Sequence, residues 1–283
     1  MSESEPMPVS LSVSIVTYAP DLALLERTLQ SLAGALARAR SEGALGEASV
    51  CVIDNGPGEE WTAPLRGVLA KALAGERWIA TDLAAGHGNV GYGAGHNLAL
   101  LRSVADYHLV LNPDVIVRDD ALATAVGFMQ AHADIGLLAP GVAGPGGETQ
   151  YLCKRYPSLL DLFLRGFTPA AIRRLFDRRL SRYEMRRETD TGEPFDAPVA
   201  SGCFMLLRRP LAQAIGGFSD AFFLYFEDFD LSLRIAARAR VLCLPQVRIV
   251  HYGGDAARKG LRHVWLFARS GVSFFSRHGW KLM

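Results

Sequence analysis

The chain has 283 residues, of which 49% are hydrophobic and 21% charged, and its mean hydropathy is +0.13. This composition excludes a weakly hydrophobic, highly charged disordered chain, and the length fits one large α/β domain or two small ones. No apolar run reaches the roughly 18–20 residues of a membrane span, and the acidic, polar N-terminus is unlike a secretory signal. We therefore expect a cytoplasmic protein. Its four cysteines form no C-x-x-C pair and are expected to be buried thiols.

The net charge of +1 hides a segregation of charge along the chain. Residues 154–187 hold ten Lys/Arg against three acids, and residues 258–283 hold six Lys/Arg and no acid. Two interpretations stay open: anionic partners at these segments, or solvated helix faces. A pI near 7.7 argues against a nucleic-acid site.

The first half of the chain alternates strand and helix patterns. Short β-branched or apolar runs predict strands at 11–18, 48–53, 78–83, 107–111 and 135–139, with helices from 22, from about 96 to 105, and near 119–132. This order implies right-handed crossovers and a mostly parallel sheet. Ligands of such sheets bind outside the carboxyl ends of the strands.

Polar residues stand at several of these strand ends. Tyr18 follows the first strand, Asp54 and Asn55 follow the second, and Asp114 follows the fourth. Asn112 and Asp114 resemble the D-x-D arrangement that holds a divalent cation against a diphosphate, since Mg²⁺ is commonly bound by one or two carboxylates plus phosphates. A simple turn is the alternative for Asn-Pro-Asp.

A glycine-rich stretch lies between the third strand and the next helix. Gly86–Gly91 matches G-x-G-x-x-G, but its position after at least two βα units argues against a dinucleotide fingerprint. Asn89 and Asn97 flank the glycines that follow, which favours a backbone platform for a ligand over a flexible loop.

The second half contains an acidic cluster among aromatic residues. A strand at 201–207 and a turn at 216–218 precede an aromatic run that opens onto a helix carrying Glu227, Asp228 and Asp230. Apolar surroundings raise the basicity of a carboxylate and suit general-base work, whereas helix capping is the alternative. Arg234 is expected to pair with Asp230 at i+4.

Taken together, seven motifs resemble those of the family 2 inverting glycosyltransferases, especially their bacterial rhamnosyltransferase-like branch. They are Ser14–Tyr18, Val52–Asn55, Asn89–Asn97, Leu111–Asp114, Ser201–Met205, Phe226–Leu231 and Val250–His251. The resemblance implies an α/β GT-A fold with a nucleotide-sugar half at 11–147 and an acceptor half at 148–257. Residues 1–10 are expected to be disordered, and 258–283 to form a basic, aromatic helical segment.

The resemblance also implies site residues. Tyr18, Asp54 and Asn55 would contact the nucleoside, and Asn89, Asn97 and Asn112 would lie at the donor. Asp114 and His251 would hold Mg²⁺ or Mn²⁺, and Asp228 would be the base, with Ser201, Gly202 and Glu227 on the acceptor side. Because Asn112 replaces the first acid of D-x-D, strict metal dependence is not expected.

The implied reaction transfers L-rhamnose with inversion from dTDP-L-rhamnose to a hydroxyl of a cell-surface glycan or lipid-linked acceptor. The residues themselves do not distinguish dTDP from UDP sugars. A nucleotidyltransferase and a non-catalytic nucleotide-sugar-binding protein are the alternatives. The C-terminal segment leaves open a peripheral contact with the inner face of the plasma membrane, a core-packing helix and a homodimer contact.

Overall fold

The computed structural model describes residues 8–253 and 261–283. Within these residues nine strands form one sheet: β1 (Val9–Thr17), β2 (Leu45–Asp54), β3 (Ile79–Ala84), β4 (Tyr107–Leu111), β5 (Val115–Val117), β6 (Ile135–Ala143), β7 (Phe195–Asp196), β8 (Phe204–Arg208) and β9 (Arg240–His251).

Helices cover the sheet and extend beyond it. In the described part of the chain they are α1 (Leu22–Ser41), α2 (Thr62–Ala72), α3 (Tyr92–Leu100), α4 (Ala121–Ala131), α5 (Leu159–Phe167), α6 (Ala170–Leu175), α7 (Asp177–Tyr183), α8 (Arg186–Asp190), α9 (Arg209–Ala214), α10 (Glu227–Ala236) and α11 (Leu261–His278). No helix in these ranges is long and apolar enough to cross a membrane.

The strand order is β3-β2-β1-β4-β8-β6-β9-β5, with β7 paired to β9. Neighbours among β3, β2, β1 and β4 are parallel, as are β6 and β9, whereas β8 runs antiparallel to both β4 and β6. The strand β8, from the predicted acceptor half, thus lies between β4 and β6 of the predicted nucleotide-sugar half, so both halves share one mostly parallel sheet. This confirms the predicted fold class.

Two apolar cores lie on opposite faces of the sheet. One packs α1, α2 and α4 through residues such as Leu29, Leu65 and Leu122, and the other packs α3, α9 and α10 through residues such as Leu100 and Leu231. Burial on both faces explains why the central strand β4 is apolar almost throughout, as parallel strands in such folds are.

The strand β4 nevertheless carries a buried histidine. His108 Nε2 lies 2.8 Å from Ser14 Oγ, which lies 2.7 Å from His96 Nδ1. Desolvation lowers the pKa of His108 to about 3, so this ring is neutral at physiological pH. The hydrogen bonds satisfy polar groups that would otherwise be costly to bury.

Several boundaries differ from the sequence prediction. Val9 and Ser10 belong to β1 rather than to a disordered terminus, and residues 1–7 lie outside the described residues. The predicted helix at 96–105 runs instead from Tyr92 to Leu100. Gly95 lets this helix lie directly against β1, since an added Cβ would lie 2.9 Å from a Val16 methyl group.

Two other expectations are met in part. Residues 258–260 of the predicted C-terminal segment lie outside the described residues, and the helix α11 occupies much of the remainder. Three of the four cysteines are buried thiols, whereas Cys51 is partly exposed.

Candidate active site

The carboxyl ends of β1 and β2 form one side of the site. Thr17 and Asp54 are partners in register, and the Asn55 amide N–H donates to the Thr17 carbonyl at 2.9 Å. Tyr18 is 55% exposed beside them, whereas Asp54 and Asn55 are buried. The expected nucleoside contacts therefore share one edge of the sheet, with Tyr18 offering an open ring face.

The side chains of Asn55 and Asn89 hold the glycine-rich loop. Asn55 Nδ2 donates to the Gly91 carbonyl at 2.8 Å, and Asn55 Oδ1 lies 3.0 Å from His87 Nε2. Asn89 Oδ1 accepts the Gly91 N–H at 3.0 Å. Gly91 itself has φ +93°, and a Cβ there would overlap the Phe223 carbonyl. The loop is thus tied both to β2 and to the segment that precedes α10.

Asn97 performs a structural task. Its Nδ2 donates to the Phe218 carbonyl at 2.8 Å, and its Oδ1 accepts the Phe218 N–H at 2.9 Å. Both ends of the amide are occupied by backbone, so the side chain locks α3 to the turn after α9.

Tyr92 links the two halves of the site, a role that the sequence analysis did not assign. Its hydroxyl lies 2.9 Å from Asn112 Oδ1 and 2.6 Å from the Gly202 carbonyl oxygen. Desolvation raises the pKa of Tyr92 well above its ordinary value, so the hydroxyl keeps its proton. The motif Asn89–Asn97 contained this residue, but nothing in the pattern showed its partners.

The structure brings Asp114 and His251 together. Val115 pairs with His251 in the sheet, and His251 Nε2 lies 3.7 Å from Asp114 Oδ1. His251 Nδ1 lies 3.0 Å from Gln150 Oε1, an acceptor, so Nδ1 carries the proton and Nε2 presents its lone pair. Desolvation lowers the pKa of His251, although Asp114 opposes the shift, and this favours the neutral ring.

This pair fits a divalent cation. Asp114 Oδ1 is buried without a hydrogen-bond partner among the described residues and faces a second electron-pair donor, His251 Nε2. A Cβ on Gly253 would overlap His251 Nε2 and lie 2.9 Å from Asp114 Oδ2, so only glycine leaves this space open. The described residues contain no cluster of three or more His, Cys, Asp or Glu for a metal. The protein would supply two ligands, and phosphate and water the others.

The acidic cluster follows a strained turn. Tyr225 and Phe226 have φ values of +71° and +67°, a conformation that non-glycine residues rarely adopt. Phe226 is buried against Phe267 and Phe274 of α11, with ring centroids 5.0 and 5.2 Å away. This packing holds the turn from which α10 presents Glu227 and Asp228.

The carboxyl groups of Glu227 and Asp228 have different surroundings. Asp228 accepts the Gly202 N–H through Oδ2 and the Phe229 N–H through Oδ1, both at 2.9 Å, whereas Glu227 Oε2 is buried with no partner in the described residues. Burial raises both pKa values, that of Glu227 well above its usual range, and the backbone donors oppose the rise for Asp228. Of the two carboxyl groups, Asp228 is therefore the one that ionises at lower pH.

The third acid of the cluster has the predicted structural role. Asp230 accepts from Arg234 at 2.7 Å and lies 2.8 Å from His278 Nε2. Arg234 also donates to the Ile215 and Gly217 carbonyls. Asp230 thus joins α10 to α11 through His278, and its partner Arg234 joins α10 to the turn after α9.

The basic segment 154–187 includes a buried lysine that interacts electrostatically with the candidate base, Asp228. Lys154 is 3% exposed, and its Nζ donates to the Tyr151 carbonyl at 2.6 Å. Desolvation lowers the pKa of Lys154 to about 7, and its charge favours the ionised form of Asp228. Three other cations of the segment, Arg165, Arg179 and Arg186, pair with its three acids, as Arg179 does with Asp161 at 2.6 Å.

Comparison with solved structures identifies the fold. The chain superposes on the crystal structure of GalNAc-T7 with UDP, GalNAc and Mn²⁺ with a TM-score of 0.64 and 16% identity, covering 90% of this chain and 45% of that one. It superposes on the mannosyltransferase PcManGT from Pyrobaculum calidifontis, in complex with GDP-Man and Mn²⁺, with a TM-score of 0.59 and 15% identity, covering 96% and 76%. These likenesses define a GT-A glycosyltransferase fold.

Sequence comparison indicates which kind of glycosyltransferase the chain resembles. No protein-family model matches the chain. An alignment over 287 residues gives 28% identity to N-acetylglucosaminyl-diphospho-decaprenol L-rhamnosyltransferase of Mycobacterium tuberculosis, covering 95% of this chain and 86% of the relative. The Escherichia coli rhamnosyltransferase WbbL is 25% identical over 175 residues, covering 57% and 61%. The chain is a glycosyltransferase, and its predicted resemblance to the rhamnosyltransferase-like branch of family 2 is confirmed.

Proposed function

We propose that the chain transfers L-rhamnose from dTDP-L-rhamnose to a hydroxyl of a lipid-linked acceptor, with inversion at the anomeric carbon. One observation carries the proposal. The Tyr92 hydroxyl bridges Asn112, two residues before Asp114, and the Gly202 carbonyl, while the Gly202 N–H holds Asp228. Hydrogen bonds thus connect the candidate base to Asn112, which lies two residues before Asp114 of the cation pair.

The donor side neutralises the leaving group. Asp114 and His251 would hold Mg²⁺ or Mn²⁺, and the bound cation would supply positive charge that stabilises the departing diphosphate. Tyr18 and Asp54 at the ends of β1 and β2 bind the nucleoside. Asn55, Asn89 and Asn97 act on the donor through the loop and helix that they fix in place.

The acceptor side activates the attacking oxygen. Asp228 takes the proton of the acceptor hydroxyl as that oxygen bonds to the anomeric carbon, and the bond from that carbon to the phosphate oxygen breaks. The nucleoside diphosphate departs with the electron pair. Asp228 ionises before Glu227 and is therefore the better proton acceptor of the two, and Ser201 and Gly202 line the approach. A single displacement of this kind inverts the configuration.

The relatives support the acceptor and donor classes. The Mycobacterium tuberculosis relative is named for an N-acetylglucosaminyl-diphospho-decaprenol acceptor and for L-rhamnose. A lipid-linked acceptor would bring the reaction to a membrane surface, which supports the expected peripheral contact at the inner face of the plasma membrane. The glycosyltransferase fold favours this function over a nucleotidyltransferase or a non-catalytic binding protein.

A panel of nucleotide sugars tests the proposal. The chain is incubated with dTDP-L-rhamnose, UDP-sugars, GDP-mannose or NAD, with and without Mn²⁺, and thermal stability and sugar release are measured. We expect stabilisation and slow hydrolysis with dTDP-L-rhamnose and Mn²⁺ and neither with NAD. Selective stabilisation by a UDP-sugar would refute the donor, and stabilisation by none would refute the nucleotide-sugar site.

A further inference from the structure

Exposed apolar side chains concentrate in one part of the structure. Fifteen large hydrophobic residues in the described ranges are exposed, and twelve of them fall within 159–176 and 261–283. We call these twelve the helical apolar face: Leu159, Phe163, Phe167, Ile172, Leu175, Phe176, Val264, Trp265, Val272, Trp280, Leu282 and Met283. Such concentration marks an interaction surface, whereas isolated exposed apolar residues are ordinary.

The helix α5 exposes apolar side chains at regular helical spacing. Leu159, Phe163 and Phe167 recur every four residues on its exposed side, and the rings of Phe163 and Phe167 stack with centroids 6.2 Å apart. The opposite side carries buried Leu164 and Asp161. A surface helix normally has a polar outer side, so this pattern indicates a partner for the exposed rings.

The helix α11 continues the same surface. The ring centroids of Phe167 in α5 and Phe267 in α11 lie 6.4 Å apart, and the Leu159 N–H donates to the Lys281 carbonyl at 2.9 Å. Trp265 is 58% exposed, with the Arg269 guanidinium 5.5 Å from the centre of its ring. Aromatic rings paired with cations in this way suit the boundary between acyl chains and headgroups.

Charge on this surface is almost entirely positive. Residues 159–176 and 261–283 include one acid, Asp161, which is buried and paired with Arg179. The same ranges contain seven Lys/Arg: Arg165, Arg173, Arg174, Arg262, Arg269, Arg277 and Lys281. An anionic bilayer complements this combination of exposed apolar rings and cations.

The inner side of the helix α11 packs against the segment that precedes the candidate base. Phe267 and Phe274 of α11 contact Phe226, which immediately precedes Glu227 and Asp228, and Ser270 Oγ donates to the Leu224 carbonyl at 2.8 Å. A membrane against α5 and α11 would therefore be separated from this segment by α11 alone, and the head of a lipid-linked substrate would have to pass this helix to reach Asp228.

We propose that the helical apolar face is a docking surface for an anionic phospholipid bilayer, formed by α5, α6, α11 and the residues after α11. The bilayer receives the aromatic rings at the depth of its headgroups, and the arginines bind its phosphates. The link to an acceptor rests on the proposed function, whereas the docking itself does not.

Vesicle flotation without donor or acceptor tests the docking. The chain is mixed with phosphatidylcholine vesicles that contain or lack phosphatidylglycerol. We expect binding that needs phosphatidylglycerol and weakens at high salt, as screening requires. The double variant Arg173→Gln/Arg174→Gln should bind about thirtyfold more weakly, at about fivefold per charge. Arg66→Gln/Lys71→Gln on α2 is the matched charge control and should bind like the wild type.

The apolar contribution is tested in the same assay. Phe163→Ser and Trp265→Ser should each reduce flotation with unchanged melting temperature, whereas Val104→Ser, which alters a residue 90% exposed elsewhere, should not. Absence of flotation, or equal loss in the control variants, would overturn the proposal. A second result would also overturn the proposal: the wild type binds no vesicles but forms a dimer in light scattering, and Trp265→Ser dissociates that dimer. Flotation with no sugar transfer would instead refute the proposed function alone.

Discussion

Replacing Asp228 by asparagine removes the proton acceptor while keeping the shape of the side chain. The Gly202 and Phe229 N–H groups each donate to one carboxylate oxygen at 2.9 Å, and asparagine retains one such oxygen. Its NH₂ group must face the other donor, which costs about 1–3 kcal/mol locally. This cost falls short of the 5–15 kcal/mol that stabilises a typical domain, so the variant should fold. Loss of the base should slow transfer by about 10²–10⁴-fold.

The assay separates catalysis from donor binding. Turnover is measured at saturating donor and acceptor, and donor affinity by calorimetry on the same protein. We expect Asp228→Asn to bind donor within a few-fold of wild type, because the base faces the acceptor. Glu227→Gln is the matched control. It replaces the carboxyl group with the more strongly raised pKa by a neutral amide and leaves Asp228 in place, so turnover should stay within about tenfold of wild type.

Three results would refute this reasoning. Near wild-type turnover in Asp228→Asn together with an inactive Glu227→Gln would move the base by one residue. Activity in both variants would make the carboxylates helix caps. Loss of donor affinity in Asp228→Asn would place this residue on the donor side.

Three more perturbations test other parts of the site. Gly253→Ala puts a methyl group between His251 and Asp114. The Mn²⁺ concentration that gives half of the maximal rise in melting temperature should therefore increase at least about tenfold. An unchanged Mn²⁺ titration would refute the cation pair. Lys154→Met should be more stable than wild type at pH 7 and below, and the difference should narrow toward pH 10.5. The reason is that Lys154 has a folded-state pKa of about 7, so the unfolding free energy of the wild type rises between pH 7 and pH 10.5. A pH-independent difference in denaturant midpoints would contradict this. Gly91→Ala combines a positive φ with overlap against a backbone carbonyl, so its melting temperature should fall by several degrees, and a change of less than one degree would contradict the loop packing.

The sequence predicted the parts of the fold that have a local signal. The strands β1, β2 and β4 are apolar runs buried in a parallel sheet, and their positions were predicted to within a few residues. The strand β9 was not predicted, because Pro245 and Gln246 interrupt its pattern and its partners β5, β6 and β7 lie far away in sequence. The start of α3 was missed because glycines usually indicate a loop, whereas Gly93 and Gly95 serve close packing here.

In the candidate site, too, the sequence indicated the residues of local motifs but not the contacts made across the fold. Asp114, His251 and Asp228 came from motif resemblance, and their roles remain predictions. Gln150 orients His251 and Tyr92 links the two halves, but neither role has a sequence signal because each depends on a contact made across the fold. The occupied amide of Asn97 was equally hidden, since its partner Phe218 lies 121 residues away.

The anomeric configuration of the product tests the central claim most directly. The chain is supplied with dTDP-L-rhamnose, Mn²⁺ and a short-chain N-acetylglucosaminyl-diphospho-lipid, and the isolated product is analysed by NMR. A single displacement with Asp228 as base predicts a rhamnosyl product whose anomeric configuration is opposite to that of the donor. A rhamnosyl product that retains the donor configuration would contradict the mechanism, and a product carrying another sugar would contradict the donor.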